Sequence, residues 1–301
     1  MIEARSISKK FGDLSAVSDV SFEAREGEIF GIAGPNGAGK STIVKMICTI
    51  LTPTGGTAII NGLDVRKDAE KIRRIVGYLP EEPRVYDYLS GRNFLRFFAN
   101  IYEVKNADAK IKELLEFVGL TEHANRKIGD YSKGMKQRIS IARALVHDPE
   151  VLVLDEPTMG LDPASARELR EKIMGLRDEG KTILICTHYM DEADFLCDKL
   201  AILSRGEISA MGKPESLKAM ISKQRYISVV LEECEKARQK KFTRILEGTE
   251  KGRNILVKTT DTSKTLRRIY EAASETGAKV LSVKNVEPSL DDVFIEVTRR
   301  K

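Results

Sequence analysis

Apolar and polar residues alternate over residues 2–8 and 20–24, the period of half-buried strands. The segment GEIFGIAG, residues 27–34, then runs into a glycine-containing turn. Beyond it Ile43, Met46, Ile47 and Ile50 recur at the i, i+3, i+4, i+7 spacing of one helix face, so the pattern predicts strand, loop, helix. Further along, VLVLDEP (151–157) and TILICTH (182–188) are short runs rich in β-branched residues, separated by a charged helical stretch, 165–179. Strand, helix and strand in that order predict an α/β fold with a mainly parallel sheet and helices on its faces.

Between these halves, residues 87–120 read as helical, with Phe94, Phe97, Phe98, Ile101 and Tyr102 forming an apolar stripe. Six of the chain's 18 aromatic residues fall between Tyr86 and Tyr102, so this face is either the core of a small helical subdomain or a groove for a partner. After Gly212, Lys213 and Pro214 the pattern changes. Strands are predicted over 226–231, 254–260 and 279–284, alternating with helices over 233–246 and 262–275. A last helix is expected to start at Ser289, where SLDD has the spacing of a capping box. Residues 222–301 therefore read as a separate small α+β domain.

Composition narrows the class. A chain of 301 residues with 42% apolar residues can bury a core in one or two domains. No apolar run approaches the ~18 residues of a membrane span, and MIEARSISKKFGDL lacks a signal-peptide core, so a cytosolic location is expected. Cys48, Cys186, Cys197 and Cys234 are scattered without a CxxC pair, which argues against a zinc site or disulfide framework. The net charge of +5 is unevenly placed: residues 221–301 hold 18 Lys+Arg against 12 Asp+Glu, and the remainder 32 against 33. A neutral body with a basic tail suits a solvated face, an anionic membrane surface or an acidic partner as well as it suits nucleic acid.

The chemistry-bearing segments lie where strands end. GPNGAGKS, residues 34–41, is G-x-x-x-x-G-K-[ST] between a strand and a helix. Glycines let backbone N–H groups turn to phosphate oxygens, Lys40 can reach the β/γ-phosphates, and Ser41 offers a hydroxyl to Mg2+. VLVLDEP ends in Asp155, placed to hold Mg2+ through its water, and Glu156, placed to orient or deprotonate an attacking water. His188 closes a third strand, at the edge where open α/β sheets bind ligands. In YSKGMKQRISIARAL, residues 131–145, Ser132 is expected to cap a helix beginning near Met135; this is either an ordinary cap or a second anion site.

On these residues the chain resembles the ATP-binding subunits of ABC transporters. GPNGAGKST matches the Walker A loop, YSKGMKQR the family signature with Ser132, Lys133 and Gly134 at its core, and VLVLDEP Walker B. GLDP (160–163) matches the D-loop with Asp162, and His188 the switch histidine; all follow family order and spacing over about residues 2–215. The resemblance implies a P-loop NTPase ABC cassette over 1–221, with a mainly parallel sheet core, an antiparallel β subdomain and a helical subdomain at about 87–145. The small α+β domain would follow it over 222–301.

ATP and Mg2+ are the implied cofactors. ATP would be held by Asn36, Gly37, Ala38, Gly39, Lys40, Ser41 and Thr42, with adenine on Phe11 and Val17 nearby, and Mg2+ by Ser41 and Asp155. Catalysis would rest on Glu156, His188 and Lys40. Two such cassettes dimerise head to tail, so the second anion site would serve the partner's ATP. A finer resemblance, carried by YSKGMKQR and the tail EPSLDDVFIEVT (287–298), is to cassettes of drug, sodium or polysaccharide exporters. It implies ATP-driven transport, in the export direction, through separate membrane-spanning permease subunits at the inner face of the cell membrane, with no nucleic acid. A stand-alone nucleotide-gated regulatory module is the alternative. One departure stands out: Glu81 follows GYLP (77–80) where the family has glutamine, an acid that could still reach Mg2+ while adding negative charge beside the phosphates.

Overall fold

The computed structural model describes residues 1–221, 225–232, 235–251, 254–286 and 288–299. The chain divides into two compact units, Met1–Pro214 and Glu215–Lys301. The expected boundary at 221/222 thus lies seven residues beyond the division, which leaves most of helix α8 (Pro214–Ile221) in the second unit.

In the first unit, β1 (Ile2–Phe11) and β2 (Leu14–Ala24) form a hairpin that β4 (Gly55–Ile60) and β5 (Leu63–Asp64) extend into an antiparallel sheet of order β2-β1-β4-β5. A second sheet contains β3 (Ile29–Ala33), β6 (Val76–Leu79), β7 (Val151–Asp155), β8 (Thr182–Thr187), β9 (Lys199–Ser204) and β10 (Glu207–Gly212). Its order is β10-β9-β3-β8-β7-β6, parallel except for the β9–β10 pair. Every residue of β3, β7 and β8 is buried, because parallel strands covered on both faces lose the alternation of a half-exposed sheet. Ala33 pairs with Thr187, and Asp155 with Cys186, so the three strands end almost level at the carboxyl edge.

Helix α1 (Lys40–Ile47) buries Ile43, Val44, Met46 and Ile47 in a core shared with both sheets, where Phe22 and Phe30 stack with centroids 4.9 Å apart. Ile50, expected on the same face, is exposed: the helix ends at Ile47 and Thr49 turns the chain at φ 57. Helix α2 (Ala69–Ile75) precedes β6.

The 87–120 segment is two helices, α3 (Gly91–Ile101) and α4 (Ala107–Phe117), rather than one continuous pattern. Left-handed backbone at Glu103 and Asn106 breaks it. On α3, Phe94, Leu95 and Ala99 are buried while Phe97 and Ile101 are 44% and 55% exposed, so the stripe divides between core and surface. Helices α5 (Lys133–Ala144), α6 (Pro163–Asp178) and α7 (Met190–Leu196) complete the unit.

The second unit has β11 (Arg225–Leu231), α9 (Lys236–Ile245), β12 (Thr249–Lys251), β13 (Asn254–Thr259), α10 (Thr262–Thr276), β14 (Val280–Val286) and α11 (Leu290–Arg299). From β11 to β14 the order is βαββαβ, with an antiparallel sheet of order β12-β13-β11-β14, the split βαβ arrangement of ferredoxin-like domains. Ile227, Val229, Ile255 and Val257 project from alternate strand positions into a core with Phe242 and Ile269. The capping box forms as expected: Ser289 Oγ accepts from the Asp292 N–H at 3.2 Å, and Asp292 Oδ2 accepts from the Ser289 N–H at 3.0 Å. Glu233, Cys234 and Glu287 lie outside the described residues.

Candidate functional site

The loop between β3 and α1 requires glycine for two reasons. Gly37 and Gly39 take left-handed backbone, φ 79 and 104. A Cβ on Gly39 would stand 2.6 Å from the Ala16 carbonyl oxygen, and one on Gly34 would stand 2.3 Å from that of Leu203. Val17 is buried beneath Gly39, whereas Phe11 stands exposed on the β1–β2 hairpin. Asn36 and Gly37 are exposed, Ala38 is buried, and Ser41 and Thr42 are half-buried in the first turn of α1. Lys40 is 6% exposed; its Nζ donates to the carbonyls of Gly34 (2.8 Å) and Pro35 (3.3 Å) and lies 3.5 Å from Glu156 Oε1. Turned amides, a buried ammonium and the positive end of α1 suit a polyphosphate.

Asp155, 1% exposed, ends β7. Burial pushes its carboxyl up to about 6; Glu81 and Glu156 add to the rise, and the Ser41 hydrogen bond and Lys40 oppose it. Among the described residues its Oδ1 has no hydrogen-bond partner. An unpaired buried carboxylate oxygen beside a serine hydroxyl and two further acids is an oxygen donor set that suits Mg2+. The residues present therefore fit the cation.

Glu156 turns the chain at φ 52, left-handed backbone of the kind that costs about 1–3 kcal/mol and collects at functional sites. Its N–H donates to the Cys186 carbonyl at 2.8 Å. One carboxylate oxygen faces Lys40; the other accepts from the His188 N–H at 3.4 Å and lies 2.9 Å from His188 Nδ1, close but not aligned as a hydrogen bond. Buried Gln137 donates to the carbonyls of Pro157 (3.0 Å) and Glu156 (3.4 Å), tying α5 to the acidic turn.

Ser132 is the N-cap of α5, which begins at Lys133, two residues before the expected start. Its Oγ accepts from the Met135 N–H at 3.2 Å. Ser132 and Lys133 are exposed, and among the described residues no hydrogen bond or ion pair joins Ser132, Lys133 or Gly134 to loop 34–41. They lie instead on GLDP: a Cβ on Gly134 would be 3.3 Å from Leu161 Cδ2, and one on Gly160 would be 2.8 Å from Lys133 Cε. Asp162 is the N-cap of α6, accepting from the N–H groups of Ala164 and Ser165. Hydrogen bonds, that of the Ser165 hydroxyl foremost, hold its carboxyl below the usual range.

The fold thus gathers Lys40, Ser41, Asp155, Glu156 and His188, with Glu81 within electrostatic reach of Asp155. Sequence reasoning missed Gln137 as a tie and passed over Glu192 and Arg170. Glu192 sits in YMDEADF, which reads as a solvated first helical turn, and no periodicity marks it as buried.

A model of the ABC transporter family matches residues 17–159, and one for the DrrA1-3-like C-terminal domain of ATP-binding proteins matches residues 212–298. The linearmycin resistance ATP-binding protein LnrL of Bacillus subtilis is 33% identical over 307 residues, covering 100% of this chain and 99% of that protein. The daunorubicin resistance ATP-binding protein DrrA2 of Streptomyces coeruleorubidus is 33% identical over 304 residues, covering 99% and 94%. The probable multidrug ABC transporter ATP-binding protein YbhF of Escherichia coli is 41% identical over 73% of this chain but 38% of its own length, so the chain spans well under half of that relative. Among solved structures, an ATP-binding subunit of an ABC transporter matches with TM-score 0.69 and 31% identity over 74% of this chain and 93% of that one. The cassette MJ0796, a dimer in a post-hydrolysis state bound to ADP and Pi, matches with TM-score 0.66 and 27% identity over 71% and 98%. With the loop, the acidic turn and the capped signature helix in place, these likenesses show that the chain belongs to the ABC transporter family, as an ATP-binding cassette ATPase followed by a DrrA1-3-like C-terminal domain.

Proposed function

We propose that this protein is the nucleotide-binding subunit of an exporter of drug-like compounds, and that two copies close head to tail on two ATP molecules at the inner face of the cell membrane, driving separate permease subunits. The observation that carries it is the signature turn: Ser132 caps and Lys133 and Gly134 open a helix at the surface, and among the described residues no hydrogen bond or ion pair ties them to their own phosphate loop. A second chain supplies the phosphate that such a turn is built to meet. The drug-like substrate class rests on the resistance relatives.

In this reading Lys40 transfers its hydrogen bonds from the Gly34 and Pro35 carbonyls to the β/γ-phosphates. Glu156 orients or deprotonates the attacking water, and His188, beside it at 2.9 Å, contacts the γ-phosphate. Mg2+ held by Ser41 and Asp155, with Glu81 beside them, would neutralise charge on the phosphates. Phe11, exposed on its hairpin, offers a face for adenine. The permease helix is placed beside α3, where Phe97 is exposed and a cavity of about 180 Å³ lies among Phe98, Tyr102, Arg143 and His147.

Size-exclusion chromatography with Mg-ATP tests the dimer. Glu156→Gln keeps the shape of the side chain and removes the base, so ATP stays intact and a dimer should accumulate. Adding Gly134→Asp sets a negative charge where the partner's γ-phosphate arrives, and the double variant should bind ATP as a monomer. An equally stable dimer of the double variant would mean that the signature does not meet nucleotide across the interface.

A further inference from the structure

Behind the site, where no nucleotide contact is assigned, the carboxylate of Glu192 in the first turn of α7 is fully buried, at 0% exposure. Among the described residues neither of its oxygens has an aligned hydrogen-bond donor. Three groups surround them. Arg170 on α6 brings to 3.9 Å from Oε1 its Nε, which has no hydrogen bond among the described residues, and the hydroxyls of Thr187 and Thr158 lie within hydrogen-bonding reach. Burial raises the proton affinity of the carboxyl and the charge of Glu156 adds to the rise, while these three groups oppose it. A buried, underpaired carboxylate costs stability, so a purely structural role would be served as well by an apolar side chain.

The contacts say what the charge is for. Thr187 precedes His188 and ends β8; its carbonyl accepts from the Gly34 N–H at 3.3 Å and its hydroxyl accepts from the Tyr189 N–H at 3.0 Å. The same hydroxyl still has its O–H to donate and lies within hydrogen-bonding reach of Glu192. The backbone on both sides of His188 is thereby tied to one acid. Thr158 follows Glu156 by two residues on the turn leading to GLDP, and α6, which carries Arg170, begins at the end of GLDP. We infer that Glu192 is a positioning residue for ATP hydrolysis: through Thr187 and Thr158 it fixes the His188 and Glu156 segments relative to each other, and through Arg170 it ties both to the helix that follows GLDP.

This inference rests on the roles proposed for Glu156 and His188, and the test separates the two. Steady-state ATP hydrolysis, equilibrium Mg-ATP binding and melting temperature would be measured on the full chain. Misplacing reacting groups by about 1 Å costs about 100-fold, so Glu192→Ala should lower kcat by that order while the Kd for Mg-ATP changes less than about threefold. Glu192→Gln, whose amide oxygen still accepts from Thr187, should recover to within about tenfold of the parent. Thr187→Val removes the same proton, and its loss should not multiply with that of Glu192→Ala. A folded Glu192→Ala with parental kcat, or one whose kcat and ATP affinity fall together without recovery in Glu192→Gln, overturns the inference. If Glu192→Ala does not fold, Thr187→Val decides, and unchanged kcat there overturns it. If Glu156→Gln hydrolyses ATP normally, the reading of the site fails and this inference with it; if Glu156→Gln is inactive and Glu192→Ala is not, only this inference fails.

Discussion

The cassette buries Lys40, Asp155, Glu156 and Glu192, whereas the C-terminal unit, among its described residues, buries no charged side chain and only three polar ones, Thr243, Thr259 and Thr265. Those threonines are paired locally: Thr265 donates to Thr259 at 2.7 Å, and Thr243 to the Gln239 carbonyl at 3.0 Å. Taking an ion out of water costs several kcal/mol even after relaxation. A fold carries that cost where chemistry needs a dry, oriented charge, and avoids it where packing is enough. In the proposed reading the contrast assigns hydrolysis to the first unit and leaves the second, with its alternating strands and apolar core, free of that constraint.

Removing one charge from each unit gives the largest contrast. Lys40→Ala takes away the ammonium that faces Glu156 and, in the proposed reading, the phosphates; turnover should fall at least about 100-fold. Lys264→Ala, on the exposed first turn of α10, should leave turnover and melting temperature unchanged. Comparable losses in both variants would break the assignment.

Acid offers a smaller separation. Burial holds His147 down at about 4 against its ordinary 6.5, with its ring stacked on Tyr102 at 3.9 Å. The folded cassette therefore keeps it neutral while the unfolded chain takes up a proton, so its contribution to stability is complete above about pH 6.5 and declines as pH falls toward 4. With the ring partly exposed, about 1 kcal/mol should be lost between pH 7 and pH 5 in urea unfolding, and His147→Phe should remove that increment. An identical pH dependence in the variant would show that the loss comes from other groups.

The smallest expected effect is none. A chain ending at Pro214 should bind Mg-ATP with a Kd within about threefold of the full protein, because in the proposed reading every phosphate-directed residue precedes it. A folded cassette that had lost ATP binding would place part of the site in the second unit and dissolve the comparison.

Some of this could be read without coordinates. The run GPNGAGKS forces its own backbone: Gly37 and Gly39 take the left-handed turns, Lys40 follows, and α1 starts there. The SLDD box and the Ser132 cap are equally local, each set within four residues. Sequence misread Ile50 and the continuity of 87–120 because a helical period continues on paper past residues that turn left-handed, Thr49, Glu103 and Asn106.

The sequence by itself determined which chemistry the chain carries, since a phosphate loop and a strand ending in two acids depend on neighbours a few positions apart. Only the tertiary structure decided which charges are dry and what faces them. Lys40 meets Glu156, Glu156 meets His188, and Glu192 meets Arg170 and Thr158 only when α1, β7, β8, α6 and α7 are assembled. Periodicity reports which side of one element a residue occupies; burial and pairing depend on the other elements packed against that side.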